Sequence, residues 1–185
     1  MTSTTHHPAL APALDAATAS GASEPGPLAA LARKVVATDR DPAATVARVA
    51  LGTILFPHGA QHALGWFGGY GFSGTLGWMT GTLGFPAPLA ALGIVTELVA
   101  PVLMVLGVGG RATAAALLVH MAFASSPHWS TGFFMNWFGA HPAGTEGFEY
   151  HLLAMALAAV LVLKGMGAFS LDRAWLRRGA TSAAS

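Results

Sequence analysis

Residues 45–67 read TVARVALGTILFPHGAQHALGWF, a long apolar run that carries two imidazoles near its end. His58 and His62 stand four residues apart, beside Pro57 and Gln61, in a segment otherwise suited to hydrocarbon. Residues at positions i and i+4 stack on one face of a helix. Ionisable groups inside a membrane are costly and usually serve a function, so this face is the first candidate for a site.

The composition indicates a membrane protein. Of 185 residues, 54% are hydrophobic and only 9% are charged, which is far from the balance of soluble domains. The absence of cysteine excludes disulfides, cysteine-ligated metal centres and thiol redox chemistry within this chain. The net charge is +1 and no basic stripe is present, so we expect no nucleic-acid partner.

Four apolar segments lie at about 46–66, 88–108, 111–130 and 147–166. Each approaches the roughly 20 residues that cross a bilayer core of about 30 Å. Inside lipid, every backbone polar group needs an internal partner, which favours helices. The sequence therefore predicts an all-α fold, a bundle of four transmembrane helices.

The predicted membrane domain spans residues 44–175, with a tail on each side. Residues 1–43 are rich in Ala, Pro, Ser, Thr and Gly, which is typical of a disordered tail, and they do not resemble a secretory signal peptide. The adjacent His6 and His7 in this tail are too few ligands for a metal site. Residues 176–185 are predicted to form a short flexible C-terminal tail.

The lysines and arginines predict the orientation. They precede the first segment, lie in the turn before the third, or follow the fourth: Arg33, Lys34, Arg40, Arg48, Arg111, Lys164, Arg173, Arg177 and Arg178. The two long loops between the segments contain neither residue type, so both termini are predicted to be cytoplasmic and these loops to face outward. Trp66, Trp78, Trp129 and Trp137 then form an aromatic belt at the outer interface, with a ring-stacking site for a cofactor as the alternative. The two outward loops can also form a lid.

Polar residues of three segments are predicted to share one depth. At 1.5 Å per residue, His58 lies about 15 Å beyond Arg48, near the membrane midplane. Glu97 and His120 reach a similar depth about nine residues into their own segments. We therefore expect one outward-opening pocket, with His58 and Glu97 as its catalytic pair. The predicted ligand-binding residues are His58, His62, Glu97, His120, Glu146 and Glu149.

Several uses of this pocket stay open at the sequence level. His and Glu between helices provide the hydrogen-bond donors and the proton route that a quinone needs. Haem held between two histidines is a second candidate cofactor. A metal site ranks third, because the Glu-x-x-His repeat of di-iron bundles is absent, and we predict no metal ligands. Alternatively, the polar residues only join the helices, each bond contributing about 1 kcal/mol or less.

Four ordered motifs carry a resemblance to a known family: ARVALGTILFPHGAQHALGWFGGYGFSGT, LGFPAPLAALGIVTELVAPVLMVLGVGGRATA, EGFEYHLL and GMGAFSLDRAW. Together they resemble the DoxX family of small four-helix membrane proteins, from about residue 46 to residue 175. The resemblance implies a multi-pass protein of the bacterial plasma (inner) membrane that is associated with redox chemistry. Some members serve as the small subunit of a thiosulfate:quinone oxidoreductase.

The resemblance also implies family positions in this chain. His58 and Gly59 match an HG motif, Glu97 the glutamate of the second span, and Arg111 the arginine that follows it. The remaining matches are Glu146, Gly147 and Glu149 of the EGxE opening and Ser170, Leu171 and Asp172 of the SLD motif. At His62 the family usually has lysine, so a fixed cation is exchanged for a group that titrates near neutrality.

The expected function is a quinone-interacting subunit of a membrane oxidoreductase. The short chain lacks cysteine and nucleotide motifs, so we expect a partner protein that completes the electron path, in addition to membrane lipid. The sequence leaves open whether the chain is catalytic by itself and whether it forms a homo-oligomer. The alternatives are a non-catalytic membrane scaffold or anchor, a haem-binding membrane protein and, with less support, a transporter.

Overall fold

The computed structural model describes residues 26–139, 142 and 145–182, with side chains up to residue 178. All regular elements in these ranges are helical, which confirms the predicted all-α class for this part of the chain. The α-helices are α1 (Pro27–Val36), α2 (Pro42–Leu64), α3 (Gly71–Gly81), α4 (Ala87–Leu106), α5 (Gly110–Ser125), α6 (Glu149–Lys164) and α7 (Leu171–Ser182). Short 3-10 turns lie at Trp66–Gly68 and Ser126–Thr131.

The four longest helices close into a ring. Helix α2 packs against α4 and α6, and α5 packs against the same two neighbours. Small and aliphatic side chains fill the centre, including Leu55, Met104, Leu117 and Leu161, each at most 1% exposed. The outer faces are apolar as well: on three helices, Leu92, Val119 and Leu153 are each more than 60% exposed. Apolar residues on both faces are expected of helices that are solvated by lipid.

One of the described helices is long and apolar enough to qualify as a membrane span by length and composition. This is α4, Ala87–Leu106, whose mean hydropathy is 2.3 over a window of which 33% is buried. Helix α2 carries polar residues within its 23 positions, and α5 and α6 contain 16 residues each, or about 24 Å. The arrangement of four membrane spans therefore stays a prediction.

Both predicted tails contain helix. Helix α1 forms inside the segment 1–43 that was expected to be disordered, and it packs against α5 and α7. Arg111, at the start of α5, holds the end of α1 by donating to the carbonyl oxygens of Lys34 and Ala37. Helix α7 continues to Ser182, through most of the predicted 176–185 tail. Residues 1–25, with His6 and His7, and residues 183–185 lie outside the described residues.

Arg48 is a buried structural residue that joins α4 to the α6–α7 connection. Its guanidinium is in a side chain only 2% exposed and donates hydrogen bonds to five backbone carbonyl oxygens. Two of them, Met104 and Val105, belong to the last turn of α4, where carbonyl groups lack helical partners and the helix dipole favours a cation. The other three belong to the α6–α7 connection: Met166, Ala168 and Phe169.

The SLD motif joins α7 to the turn between α4 and α5. Ser170 Oγ accepts a hydrogen bond from the backbone N–H of Arg173 at 3.3 Å and so caps α7. Asp172 points elsewhere: its Oδ1 accepts from the Gly109 N–H at 3.2 Å. Burial raises the pKa of the Asp172 carboxyl above its ordinary value. The C-terminal segment is thus fixed to the bundle by specific contacts.

The described lysines and arginines gather at one end of the bundle, which we call the basic end. They lie on α1, just before α2 and in its first turns, at the start of α5 and in residues 164–178. The opposite end, the cavity end, is formed by α3, the turn Ser126–Thr131 and the loop before α6. That loop is held in place by three backbone hydrogen bonds between residues 147–149 and residues 132–134. It carries no lysine or arginine. The predicted orientation depends on this uneven distribution of lysine and arginine between the two ends.

Candidate functional site

A cavity of about 540 Å³ lies between the helices at the cavity end. Its walls come from all four ring helices, its cover from α3, and its rim from the turn Ser126–Thr131 and the loop before α6. Apolar groups, among them Trp78, Met79, Phe85 and Phe123, form much of the lining. Its size falls in the range of small-molecule sites, which are mostly apolar with a few converging polar groups.

Glu97 of α4 is the polar centre of this cavity. Its Oε2 lies 2.5 Å from Nδ1 of His62 on α2, and its Oε1 lies 4.0 Å from Nε2 of His120 on α5. The first distance is that of a strong hydrogen bond, whereas the second is beyond hydrogen-bond reach. The side chains of Glu97 and His120 are 11% and 7% exposed, and that of His62 is 40% exposed. Three helices therefore contribute one polar cluster, open on the His62 side.

The close contact of α2 with α4 positions this cluster. A Cβ on Gly59 would overlap the backbone of Glu97, and a Cβ on Gly52 would lie 2.6 Å from the carbonyl oxygen of Pro101. Glycine is therefore required on the α2 face that meets α4, as at other helix contacts made by small residues. His58, beside Gly59, lines the cavity and lies with its ring centroid 6.1 Å from that of Tyr150 on α6.

The structure brings five of the six predicted ligand-binding residues to the cavity lining: His58, His62, Glu97, His120 and Glu146. Glu149 is not among the lining residues. Its Oε1 accepts hydrogen bonds from the backbone N–H of Met135 at 3.0 Å and from Nε1 of Trp137 at 2.5 Å. The carboxylate therefore holds the loop that covers the cavity instead of facing a ligand.

The helical period of α6 explains this difference. Its buried residues are Ala154, Ala158 and Leu161, and one turn before Ala154 on the same face stands Tyr150 rather than Glu149. Tyr150 and His151 both line the cavity. Tyr150 was not among the predicted site residues, although the spacing of small residues along α6 was a signal for it.

Two further lining residues have no clear signal in the sequence. His128 lies in the turn after α5, where no period predicts its direction, and its Nδ1 is 2.7 Å from the Glu146 carbonyl oxygen. Its ring stacks at a tilt on that of His151, with centroids 4.8 Å apart. Thr75 lies on α3, inside a glycine-rich stretch whose composition favours turns rather than a helix. Of the predicted aromatic belt, Trp78 lines the cavity.

Four of the cavity residues have a buried polar atom without a hydrogen-bond partner in the described part of the chain. These atoms are Thr75 Oγ1, His120 Nε2, Tyr150 Oη and His151 Nδ1. Buried polar groups in proteins are almost always paired, since an unpaired one costs about 1–3 kcal/mol. All four atoms are therefore candidates for hydrogen bonds to water or to a ligand.

The described residues contain no group of three or more His, Cys, Asp or Glu side chains placed to hold a metal ion. The cavity can instead offer donors and acceptors to an uncharged organic ligand. The Glu97–His62 pair can also pass a proton between its two members, as general acid–base groups do.

A protein-family model described as DoxX matches residues 43–137 of this sequence. The chain belongs to the DoxX family. The matched region contains His58, Gly59, Glu97 and Arg111, and it ends before the EGFEYH and SLD motifs of the resemblance. Membership identifies a membrane protein of the DoxX type. Comparison with curated proteins and with solved structures gave no match.

Proposed function

We propose that this DoxX-family protein is a quinone-binding membrane subunit of an oxidoreductase and that the quinone head group binds in the cavity. The observation that carries the proposal is the set of four unpaired polar atoms beside the Glu97–His62 pair, in an otherwise apolar cavity of about 540 Å³. A quinone ring has apolar faces and two carbonyl oxygens that accept hydrogen bonds. Its shape and polarity therefore fit this lining.

Hydroxyl and imidazole groups would act as donors to the two oxygens. Tyr150 Oη and Thr75 Oγ1 are hydroxyl donors, and His120 Nε2 and His151 Nδ1 are donors in the tautomers that carry the proton there. His58 adds a further imidazole opposite Tyr150. Donors on α3, α5 and α6 surround the cavity, so a ring inside it would be held from more than one side.

Glu97 and His62 would supply protons. A bound quinone accepts two electrons and two protons to become a quinol. Glu97 is largely buried, and its bond to the more exposed His62 connects the interior of the cavity with the outside. Imidazole titrates near neutral pH, so His62 is suited to take up a proton and pass it to the carboxylate.

The electrons would come from a reduced cofactor of a partner protein, because this chain has no cysteine and no nucleotide-binding motif. We further propose that α2, α4, α5 and α6 all cross the bacterial plasma membrane. The basic end would then face the cytoplasm and the cavity end the outside. The apolar exposed faces of these helices and the separation of charge between the ends support this arrangement.

Quinone titration of the purified protein tests the proposal. A short-chain ubiquinone or menaquinone analogue should quench the fluorescence of Trp78, which lines the cavity. Tyr150→Phe should weaken binding about fivefold through loss of one hydrogen bond, without lowering thermal stability, because Tyr150 Oη has no partner in the described part of the chain. Glu97→Gln should weaken it further and lower stability. Tyr70→Phe is the matched control, since Tyr70 is 83% exposed.

The titration would contradict the proposal if neither analogue gave saturable quenching. Unchanged affinity in both Tyr150→Phe and Glu97→Gln would also contradict it. If Tyr150→Phe lowered thermal stability, its hydroxyl would be structural, in favour of a scaffold. A Soret band in the visible spectrum of the purified protein would favour haem, for which the histidines of the cavity lining are the supporting observation.

A further inference from the structure

The basic end presents more positive than negative side chains. Its exposed cations lie on α1, on α7 and next to α2: Arg33, Lys34, Arg40, Arg177 and Arg178. Of the acidic residues described there, Asp172 is buried and Asp41 is paired with Lys164 at 2.7 Å, while Asp39 is exposed. The surface of this end is therefore suited to an anionic partner.

The same elements expose large apolar side chains. On α1, Leu28 and Leu31 are 82% and 59% exposed at a spacing of three residues, and no described residue of this helix is buried. On α7, Leu171 and Trp175 are 53% and 60% exposed at a spacing of four. Each helix therefore has an apolar face that the rest of the described chain does not cover. Basic amphipathic helices of this kind lie in membrane interfaces.

Phe169 is the most unusual residue of this end. It has a φ of 56°, in the left-handed region that a bulky residue rarely adopts, and its side chain is 91% exposed. The backbone is fixed from inside by Arg48, whose Nη2 donates to the carbonyl oxygens of Ala168 and Phe169 at 3.3 and 3.1 Å. The fold thus holds an aromatic ring outward in a strained conformation, and strain of this kind is common at binding sites.

With α6 as a membrane span, as proposed above, chain connectivity puts these groups at the membrane surface. Helix α6 ends at Lys164 after the exposed Leu163, and Phe169 and α7 follow within a few residues. Helix α1 contacts α7, so both amphipathic helices lie at one level. Aromatic rings and cations at such a level meet the boundary between acyl chains and lipid phosphates.

We propose that α1, Phe169 and α7 form a platform that binds anionic phospholipids. Phe169, Leu171 and Trp175 insert at the edge of the acyl chains, while the cations of α1 and α7 contact the lipid phosphates. This surface is separate from the cavity, so the proposal does not depend on the bound quinone. It assigns a lipid class to the basic end of the protein.

The test compares three additives with the purified full chain in detergent: short-chain phosphatidylglycerol, short-chain phosphatidylcholine and inorganic phosphate. We expect only phosphatidylglycerol to raise the unfolding temperature strongly. Neutralising the exposed Arg177 and Arg178 to Gln should weaken the apparent affinity by about fivefold per charge. The matched variant with both residues changed to Lys should keep most of the response, because it keeps the charge.

Phe169→Gly separates strain from lipid binding. Glycine adopts positive φ without penalty, so this variant should be at least as stable as the natural protein without lipid. It should nevertheless respond less to phosphatidylglycerol. An equal response to phosphatidylcholine or to phosphate alone would overturn the proposal. A lipid response that none of these variants changed would also overturn it. The same holds if the Gln variant lost a co-purifying protein but kept a normal lipid response.

The absence of native cysteine allows a second measurement. A fluorescent label on Ala174→Cys of α7 should be shielded from aqueous quenchers in bilayers that contain phosphatidylglycerol. The control label on Ser73→Cys, an exposed position of α3, should show the same accessibility with and without anionic lipid. A label on α7 that is equally accessible in both bilayers would contradict the platform.

Discussion

At the scale of single residues, Arg48 shows how a charge is tolerated inside this bundle. Its guanidinium has no carboxylate partner among the described residues and is instead surrounded by carbonyl oxygens from α4 and from the α6–α7 connection. The planar group with five N–H donors matches this number of acceptors. One side chain therefore joins two distant parts of the chain.

Replacing Arg48 should be the most destabilising single change at the basic end. Arg48→Met leaves buried carbonyl groups unpaired, and we expect it to lower the free energy of unfolding by roughly 3 kcal/mol or more. The stability of Arg48→Lys should lie between that of the natural protein and that of Arg48→Met, because lysine keeps the charge but not the planar guanidinium. Thermal unfolding in detergent measures this, with the exposed Arg40→Met as the control. Equal stability of the Met variants at both positions would contradict the structural role.

At the scale of the element, the pairing of α2 with α4 determines the geometry of the site. Gly52 and Gly59 lie seven residues apart, so one face of α2 meets α4 along two turns. This contact places His62 within hydrogen-bond distance of Glu97. The HG motif therefore combines a cavity residue, His58, with a packing residue, Gly59.

Gly59→Ala should damage both stability and the site. The new methyl group would overlap the backbone of Glu97, and separating the helices should cost about 1–3 kcal/mol. The Glu97–His62 bond should lengthen, so affinity for the quinone analogue should also fall. Gly77→Ala in α3 is the matched control, because a methyl group there meets nothing within 4 Å and alanine favours helix. Wild-type stability of both variants would contradict the close contact between α2 and α4 at Gly59.

The start of α2 should carry a pH-dependent contribution to stability. The ion pair with Lys164 and the backbone N–H groups of Ala44 and Ala43 hold the pKa of Asp41 below its ordinary value of 3.8. A carboxyl with a lowered folded-state pKa stabilises the fold above the unfolded-state pKa. This stabilisation is lost as the pH falls through the folded-state pKa.

We therefore expect the unfolding temperature of the natural protein to exceed that of Asp41→Asn at pH 6 and to approach it near pH 3. Parallel unfolding curves across this range measure the effect. Added salt should reduce the difference, because the pair is exposed and screened. A difference that stayed constant with pH would show that the carboxylate charge does not contribute.

At the scale of the whole molecule, the depths calculated along each helix from the sequence placed His58, His62, Glu97 and His120 near one level. All four line the same cavity in the structure. It works because rise per residue along a helix is nearly constant. The direction in which a side chain leaves its helix was harder to predict where the first residue of the helix was uncertain. A shift of one residue at the start of α6 exchanges Glu149 for Tyr150, since neighbouring positions are rotated by about 100°.

Other features depend on tertiary contacts that leave little trace in the sequence. Helix α3 forms in the glycine-rich segment 71–81 because it packs against α2 and α4, although its composition favours turns. The burial of Arg48 was not predicted, because a single charge near the start of an apolar run usually lies at the membrane interface. Its five carbonyl partners come from residues more than 50 positions away in the sequence.

The central claim is that the cavity between α2, α4, α5 and α6 binds a quinone. Photolabelling with an azidoquinone, followed by peptide mapping, tests it most directly. We expect labels on cavity residues of α3 and α6, such as Met79 and Tyr150. These labels should disappear with excess unlabelled quinone and should decrease in Tyr150→Phe. Labels confined to lipid-facing positions such as Leu92 and Val99, without protection by excess quinone, would contradict it.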